Sequence, residues 1–258
     1  QLNNDFSKES KQDFTPSFSF LDIDFERKSG EISLVLLNLM LLVFIGTYNY
    51  EQFFKEESKT VLSAATHDRV NAVIISIIMA VGVILFYFKK GFNFDTNANF
   101  LKRLAKIWVG LNAILIISSA VKNSEYILHF GMTYKRLGVY AFLVLTLIGL
   151  GFTYYKIKNQ KTNAFLFNQM LWCVYGLILL CSFVNWGNLI TSYNVSVNKG
   201  VEPKFLKSLN YNEEYRQQYF SDSSIPSIND YDREGDVEYE QSKSFLSKAL
   251  YYEFVSLK

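Results

Sequence analysis

The sequence has few of the residue types from which catalytic and metal sites are built. It contains only two histidines and two cysteines among its 258 residues, and its net charge is +2. This near-balanced charge gives no indication of a nucleic-acid partner. His67 lies beside Asp68 and Arg69, but no second ligand follows at helical spacing and the other histidine is His129. The spacing therefore predicts no metal site.

Recognisable catalytic motifs are missing as well. The sequence contains no Walker loop, no HExxH motif, no Ser–His–Asp order and no paired-carboxylate site. Cys173 and Cys181 lie eight residues apart in one apolar run, a helical rise of about 12 Å, which is too far for a disulfide. The sequence predicts a protein that is not an enzyme and that holds no metal or cofactor.

Long apolar runs, by contrast, are abundant. Each of the five runs is 17 to 20 residues long, and a helix of about 20 residues crosses a hydrocarbon core of about 30 Å. Only helices satisfy every backbone group in lipid without leaving an edge. The fold class predicted is all-α: a multi-pass integral membrane helix bundle with about five transmembrane helices and a polar C-terminal tail. The runs are Ile32–Tyr48, Val70–Phe88, Leu104–Val121, Leu137–Tyr155 and Phe165–Val184.

Ionisable residues are almost absent from these runs, which argues against a proton-coupled pump. Their polar residues are mainly amides, and amides in membrane helices favour adhesion between helices, with a solute path as the alternative. The amide side chains concerned are Asn38, Asn112, Asn168 and Gln169.

The chain is predicted to have three parts: a polar pre-membrane segment (residues 1–30), a five-helix transmembrane domain (31–188) and a soluble tail (189–258). The tail is acidic between Asp222 and Glu240 and has too few apolar residues for a core of its own. Residues 241–257 regain a helical period, with one apolar stripe that needs a cover. The stripe consists of Phe245, Leu246, Ala249, Leu250 and Phe254.

The orientation is predicted from Lys and Arg in the short loops. The loop after the second run is basic, and the loop after the fourth carries Lys156, Lys158 and Lys161 with no acid. These loops are expected on the inner side with the N-terminal segment, and the tail outside. The abundance of Asn, Lys, Ile, Phe and Tyr indicates an AT-rich bacterial genome. We therefore expect the bacterial inner membrane, with a periplasmic tail.

The stretch "YILHFGMTYKRLGVYAFL" at residues 126–143 has the pattern of a helix stop followed by a helix start. Gly131 is placed to end one helix in the left-handed conformation, and Thr133 to cap the next. Arg136 can fold back onto Glu125, and His129 shares the face of Glu125. Alternatively to a structural hairpin, Glu125, His129 and Arg136 line a cavity or bind an anionic lipid headgroup. The predicted hairpin motif comprises Glu125, Tyr126, His129, Gly131, Thr133 and Arg136.

This stretch resembles the C-terminal region of a bacterial multi-pass membrane family known as a domain of unknown function, whose hallmark is Tyr-Gly-Leu-Thr-x-x-Arg. Phe130 replaces its Tyr and Met132 its Leu. "VNWGNLITSYNVS" resembles the end of the family's last helix, including Asn194, and the similarity spans roughly Glu31 to Asn210. The resemblance implies further membrane helices upstream. The matching residues are Ser119, Ala120, Tyr126, Gly131, Thr133 and Arg136.

Two functions are compatible with these features. The first is a structural or accessory subunit of a cell-envelope complex, bound through its helices and tail. A further idea, a membrane sensor for a signalling partner, is not separated from the first by the sequence. The second is a transporter or lipid-binding protein with a site near Glu125, His129 and Arg136. The partners expected are the lipid bilayer and other membrane or periplasmic subunits, with no nucleic acid.

Overall fold

The structure, a computed structural model, describes residues 22–54, 59–88, 92–93, 95, 97–212, 215–216 and 231–244, without the side chains of 52–72 and 231–236. Every regular element in this described part is an α-helix, which confirms the all-α fold class. The helices are α1 (Ile23–Phe54), α2 (Lys59–Tyr87), α3 (Asn99–Phe130), α4 (Tyr134–Lys158), α5 (Asn163–Ser182), α6 (Trp186–Val197), α7 (Pro203–Lys207) and α8 (Tyr231–Ser242).

Four of these helices are long and apolar enough to cross a membrane: Ile23–Glu51 in α1, and α3, α4 and α5 over their full lengths. The fifth predicted run lies in α2, whose described apolar part, Val73–Tyr87, is shorter. The expected multi-pass membrane architecture is therefore confirmed. α1 begins at Ile23, so the helix extends into the predicted pre-membrane segment and carries Arg27 at its polar start.

The chain divides into two compact units. Unit 1 comprises Gln1–Ser124 and Gly138–Leu179, and unit 2 comprises Glu125–Leu137 and Leu180–Lys258. The core of unit 1 consists of apolar side chains from α1 to α4, in which branched and aromatic residues recur on the buried faces. Its fully buried members include Leu34, Ile77, Ile84, Leu101, Leu115 and Ile157.

One end of unit 1 collects hydrogen-bonding side chains, and we call it the polar end: Arg27, Asn93, Asp95, Lys102, Lys156 and Asn163. Here α1, α3 and α5 begin and α2 and α4 end, as alternating membrane passes require. Arg27 Nη1 lies 3.2 Å from Asp95 Oδ2, and Lys102 Nζ donates to the Asp95 carbonyl at 2.7 Å. The two basic loops therefore lie at the same end of unit 1.

Unit 2 has a separate small core, in which Ile190 of α6 packs with Leu206 and Leu209. Asn185 caps α6, since its Oδ1 accepts from Asn188 N at 3.1 Å. The helix ends at Asn198, which has a left-handed conformation with φ 51°. The region predicted as a polar tail thus begins with a folded segment. The apolar stripe at residues 245–254 lies outside the described residues.

Candidate functional site

The turn between α3 and α4 is the part of the hairpin motif with the tightest backbone geometry. Gly131 N donates to Ile127 O at 2.8 Å, and the residue has φ 83°. A β-carbon at this position would lie 2.8 Å from Lys199 O and 2.9 Å from Asn194 Oδ1. Both the left-handed conformation and the close approach of another segment therefore require glycine here.

Thr133 and Arg136 close the turn from the α4 side. The Thr133 hydroxyl oxygen accepts from Arg136 N at 3.3 Å, which satisfies one of the free N–H groups at the helix start. The Arg136 guanidinium donates through Nη1 to Gly131 O. Its Cζ lies 4.2 Å from the centroid of the Tyr126 ring, a cation–π distance. Arg136 thus links the carbonyl at the end of α3 to the first turn of α4.

Asn194 of α6 holds the turn from the other side. Its side chain is fully buried, and its Oδ1 accepts from Met132 N at 2.6 Å. Its Nδ2 donates to Met132 O at 3.1 Å and to Gly200 O at 3.2 Å. One amide therefore satisfies both backbone groups of Met132, as a neighbouring strand would.

The remaining hairpin residues differ in burial. Tyr126 is buried, Glu125 is half-buried and His129 is exposed. The predicted pair between Glu125 and Arg136 stays a prediction. Within the described residues no group of three or more His, Cys, Asp or Glu could hold a metal ion. The side chains of His67 and its neighbours lie outside those described.

The predicted intramembrane amides fall into two classes. Asn38 and Asn112 are buried in the core of unit 1. Asn38 Nδ2 donates to Leu34 O at 2.7 Å and across to Leu104 O of α3 at 3.2 Å, and Asn112 Nδ2 donates to Trp108 O at 2.8 Å. Asn38 therefore joins α1 to α3, whereas Asn112 bonds within α3.

The second class lies on α5. Asn168 and Gln169 are half-buried, and neither side chain has a hydrogen-bond partner among the described residues. Trp172 and Tyr175 lie on the same helix with 61% and 57% of their surface exposed. Their rings contact each other edge to face, with centroids 6.3 Å apart. The indole N–H and the phenol O–H also lack a partner within the described part of the chain.

Sequence reasoning missed the role of three residues at the polar end. Lys156 is not a loop cation but is fully buried, and its Nζ donates to Phe88 O at 3.2 Å and to Asn163 Oδ1. Asn163 Nδ2 donates to Leu85 O at 3.2 Å, and Asn93 Nδ2 donates to Lys156 O at 3.1 Å. Lys and Asn thus satisfy the carbonyls that α2 leaves free at its C-terminus. A lysine directly after the end of an apolar run gives no signal of this role.

Comparison with known proteins identifies a family for the chain. Residues 3–229 match a domain of unknown function, DUF4153. No curated protein and no solved structure matches the chain. The match covers most of the sequence, including the hairpin motif and Asn194, and the chain therefore belongs to the DUF4153 family.

Proposed function

We propose that this protein is a non-enzymatic accessory subunit of a membrane complex in the bacterial cell envelope, located in the inner membrane. It binds a transmembrane helix of a partner subunit through one face of α5, and its polar tail adds a second contact. The supporting observation is the row formed by Asn168, Trp172 and Tyr175, which we call the α5 polar face.

These three residues occupy positions i, i+4 and i+7, so they lie on one face of the helix. Exposure of apolar residues alone is expected for a helix that faces lipid. What lipid cannot supply is a hydrogen-bond acceptor for an amide, an indole N–H or a phenol O–H. The α5 polar face offers all three groups, and the described residues leave them without partners.

The depth of the α5 polar face in the membrane also supports a protein partner. Trp172 is the tenth of the twenty residues of α5, which puts it about 14 Å along the axis, near the middle of a hydrocarbon core of about 30 Å. Tryptophan and tyrosine of membrane proteins are enriched at the headgroup level, where their polar groups reach water. At mid-membrane the same groups favour a protein neighbour.

The chemistry of the partner follows from these groups. It is a membrane helix with Ser, Thr, Asn or Gln at the same depth, because such side chains supply the acceptors that α5 needs. Bonds of this kind contribute about 0.6–2 kcal/mol each, which corresponds to about threefold to thirtyfold in affinity. Several along one face are enough to select one partner among many lipid-exposed helices.

The experiment is purification of the tagged full chain from native membranes in mild detergent, followed by mass spectrometry of co-purifying proteins. Asn168→Leu and Tyr175→Phe are expected to reduce recovery of one specific membrane protein by about threefold or more. Tyr155→Phe is the matched control, because Tyr155 is also exposed but lies three residues before the end of α4, where a tyrosine hydroxyl is expected at the headgroup level.

Three results would overturn the proposal. One is a monodisperse wild-type monomer with no co-purifying protein. Another is equal recovery of the partner by Tyr175→Phe and Tyr155→Phe. The third is recovery of a second copy of this chain alone, which would identify self-association in place of an accessory role.

The alternative of a transporter or lipid-binding site at Glu125, His129 and Arg136 has no supporting observation among the described residues. Arg136 is engaged by Gly131 O and by the Tyr126 ring, and His129 stands on the exposed face of α3. These contacts support a structural hairpin.

A further inference from the structure

An apolar groove of about 430 Å³ lies between α2, α4 and α5 in unit 1. Gly82 and Leu85 line it from α2, Phe142 and Gly149 from α4, and Leu166 and Met170 from α5. A β-carbon added at Gly82 would meet no atom within 4 Å. The absence of a side chain at this position therefore keeps part of the groove open.

The lining offers almost no hydrogen-bonding capacity. Its two threonines donate their hydroxyl protons to carbonyls of their own helix: Thr146 to Phe142 O and Thr153 to Gly149 O, both at 2.8 Å. A polar solute would lose its hydration in this groove without compensation. The lining therefore fits an alkyl chain.

The length of the groove corresponds to one leaflet. From Phe142 to Thr153 it runs along twelve residues of α4, a rise of about 16 Å, or about half of a hydrocarbon core of about 30 Å. A transmembrane helix of a partner would need a groove about twice as long. An acyl chain of a single phospholipid needs only this length.

One end of the groove meets the polar end of unit 1. Leu85, which lines the groove, accepts through its carbonyl from Asn163, and Thr153 lies one helical turn before Lys156. Lys158 is exposed about one and a half turns beyond Thr153, and Lys161 is half-buried in the loop that follows. No acidic residue lies between Lys156 and Lys161. On the α4 side, this end of the groove therefore leads into a loop whose charged residues are all basic.

We propose that this groove binds one acyl chain of an anionic phospholipid from the leaflet at the polar end, and that Lys158 and Lys161 hold its headgroup. Basic residues next to a membrane attract anionic headgroups over short distances. The site is separate from the α5 polar face: Leu166 and Met170 line the groove, and Trp172 and Tyr175 do not.

The test uses the purified full chain in detergent, with native mass spectrometry of added anionic phosphatidylglycerol or zwitterionic phosphatidylethanolamine. Wild type is expected to retain one phosphatidylglycerol with preference over phosphatidylethanolamine. Gly82→Leu fills the groove and is expected to weaken retention about tenfold or more. Gly46→Leu is the matched control, since Gly46 of α1 also has no atom within 4 Å of an added β-carbon and does not line the groove.

The headgroup contact is tested separately. Lys158→Gln with Lys161→Gln is expected to abolish the preference for phosphatidylglycerol and to keep binding of phosphatidylethanolamine, because the groove is unchanged. Lys135→Gln, an exposed lysine in the first turn of α4, serves as the charge control.

Equal lipid retention by Gly82→Leu and Gly46→Leu would overturn the site, and an unchanged headgroup preference in the double lysine variant would overturn the role of the two lysines. If Gly82→Leu is not recovered folded, Leu145→Phe narrows the same groove from α4 and carries the same expectation. Loss of lipid with unchanged partner recovery would separate this site from the proposed accessory function.

Discussion

The most apolar stretches of helices α3 and α5 have the same mean hydropathy, yet half of this stretch is buried in the protein in α3 and only 6% of it in α5. Each helix carries one tryptophan and an asparagine four residues away from it. In α3, Trp108 donates from Nε1 to Ala80 O at 3.2 Å, and Asn112 bonds within its own helix. In α5, Trp172 and Asn168 have no hydrogen-bond partner among the described residues, and Trp172 is 61% exposed. Hydropathy thus identifies a membrane-spanning helix. The hydrogen-bond partners of its polar groups reveal whether that helix packs inside the bundle or lies at its edge.

The largest loss of stability is expected on replacing the buried tryptophan of α3, Trp108. Trp108→Ala removes a side chain of which only 7% is exposed and leaves a cavity against α2. We expect the free energy of unfolding to fall by about 3–5 kcal/mol. The measurement is reversible unfolding in mixed micelles, followed by circular dichroism. A loss below about 1 kcal/mol would mean that Trp108 is not part of a close-packed core.

Much of the hairpin could be predicted from sequence because its signals are local. A glycine followed two residues later by threonine, before an apolar run, predicts a helix stop and a helix start. The clamp by Asn194 could not be predicted, because it joins residues 62 positions apart and depends on how α6 folds back. For Lys156 the charge was visible in the sequence, but the carbonyls that it satisfies were not.

The α5 polar face shows the same limit of prediction from the sequence. Asn38 and Asn168 are equivalent in a hydropathy profile, and the sequence predicts helix adhesion for both. The structure separates them because Asn38 reaches Leu104 O, whereas Asn168 has no partner within the described part of the chain. Which amide binds inside the chain is decided by the rotation of each helix about its axis, and this rotation depends on packing throughout unit 1.

A smaller loss of stability is expected on replacing Gly131, the residue that follows the C-terminal end of α3. Gly131→Ala imposes a left-handed conformation on a residue with a β-carbon and brings that carbon within 3 Å of Lys199 O. We expect a loss of about 1–3 kcal/mol in the free energy of unfolding. The measurement is the unfolding assay described above.

Gly138→Ala is the control for this change. Gly138 lies inside α4, and an added β-carbon there meets nothing within 4 Å, so alanine is expected to be neutral or to stabilise by up to about 1 kcal/mol. Similar losses for both variants would show that the turn does not depend on the conformation of Gly131.

The smallest effect on stability is expected at the tryptophan of α5, and it is the sharpest test of the comparison with α3. Trp172→Ala removes a side chain that is 61% exposed and whose ring contacts Tyr175 of the same helix, so the free energy of unfolding of the isolated chain should change by no more than about 0.5 kcal/mol. Recovery of the partner from native membranes should nevertheless fall, because the indole N–H and its ring surface are lost from the α5 polar face. A loss of stability comparable with that of Trp108→Ala would place Trp172 in an internal contact and remove the distinction between the two helices.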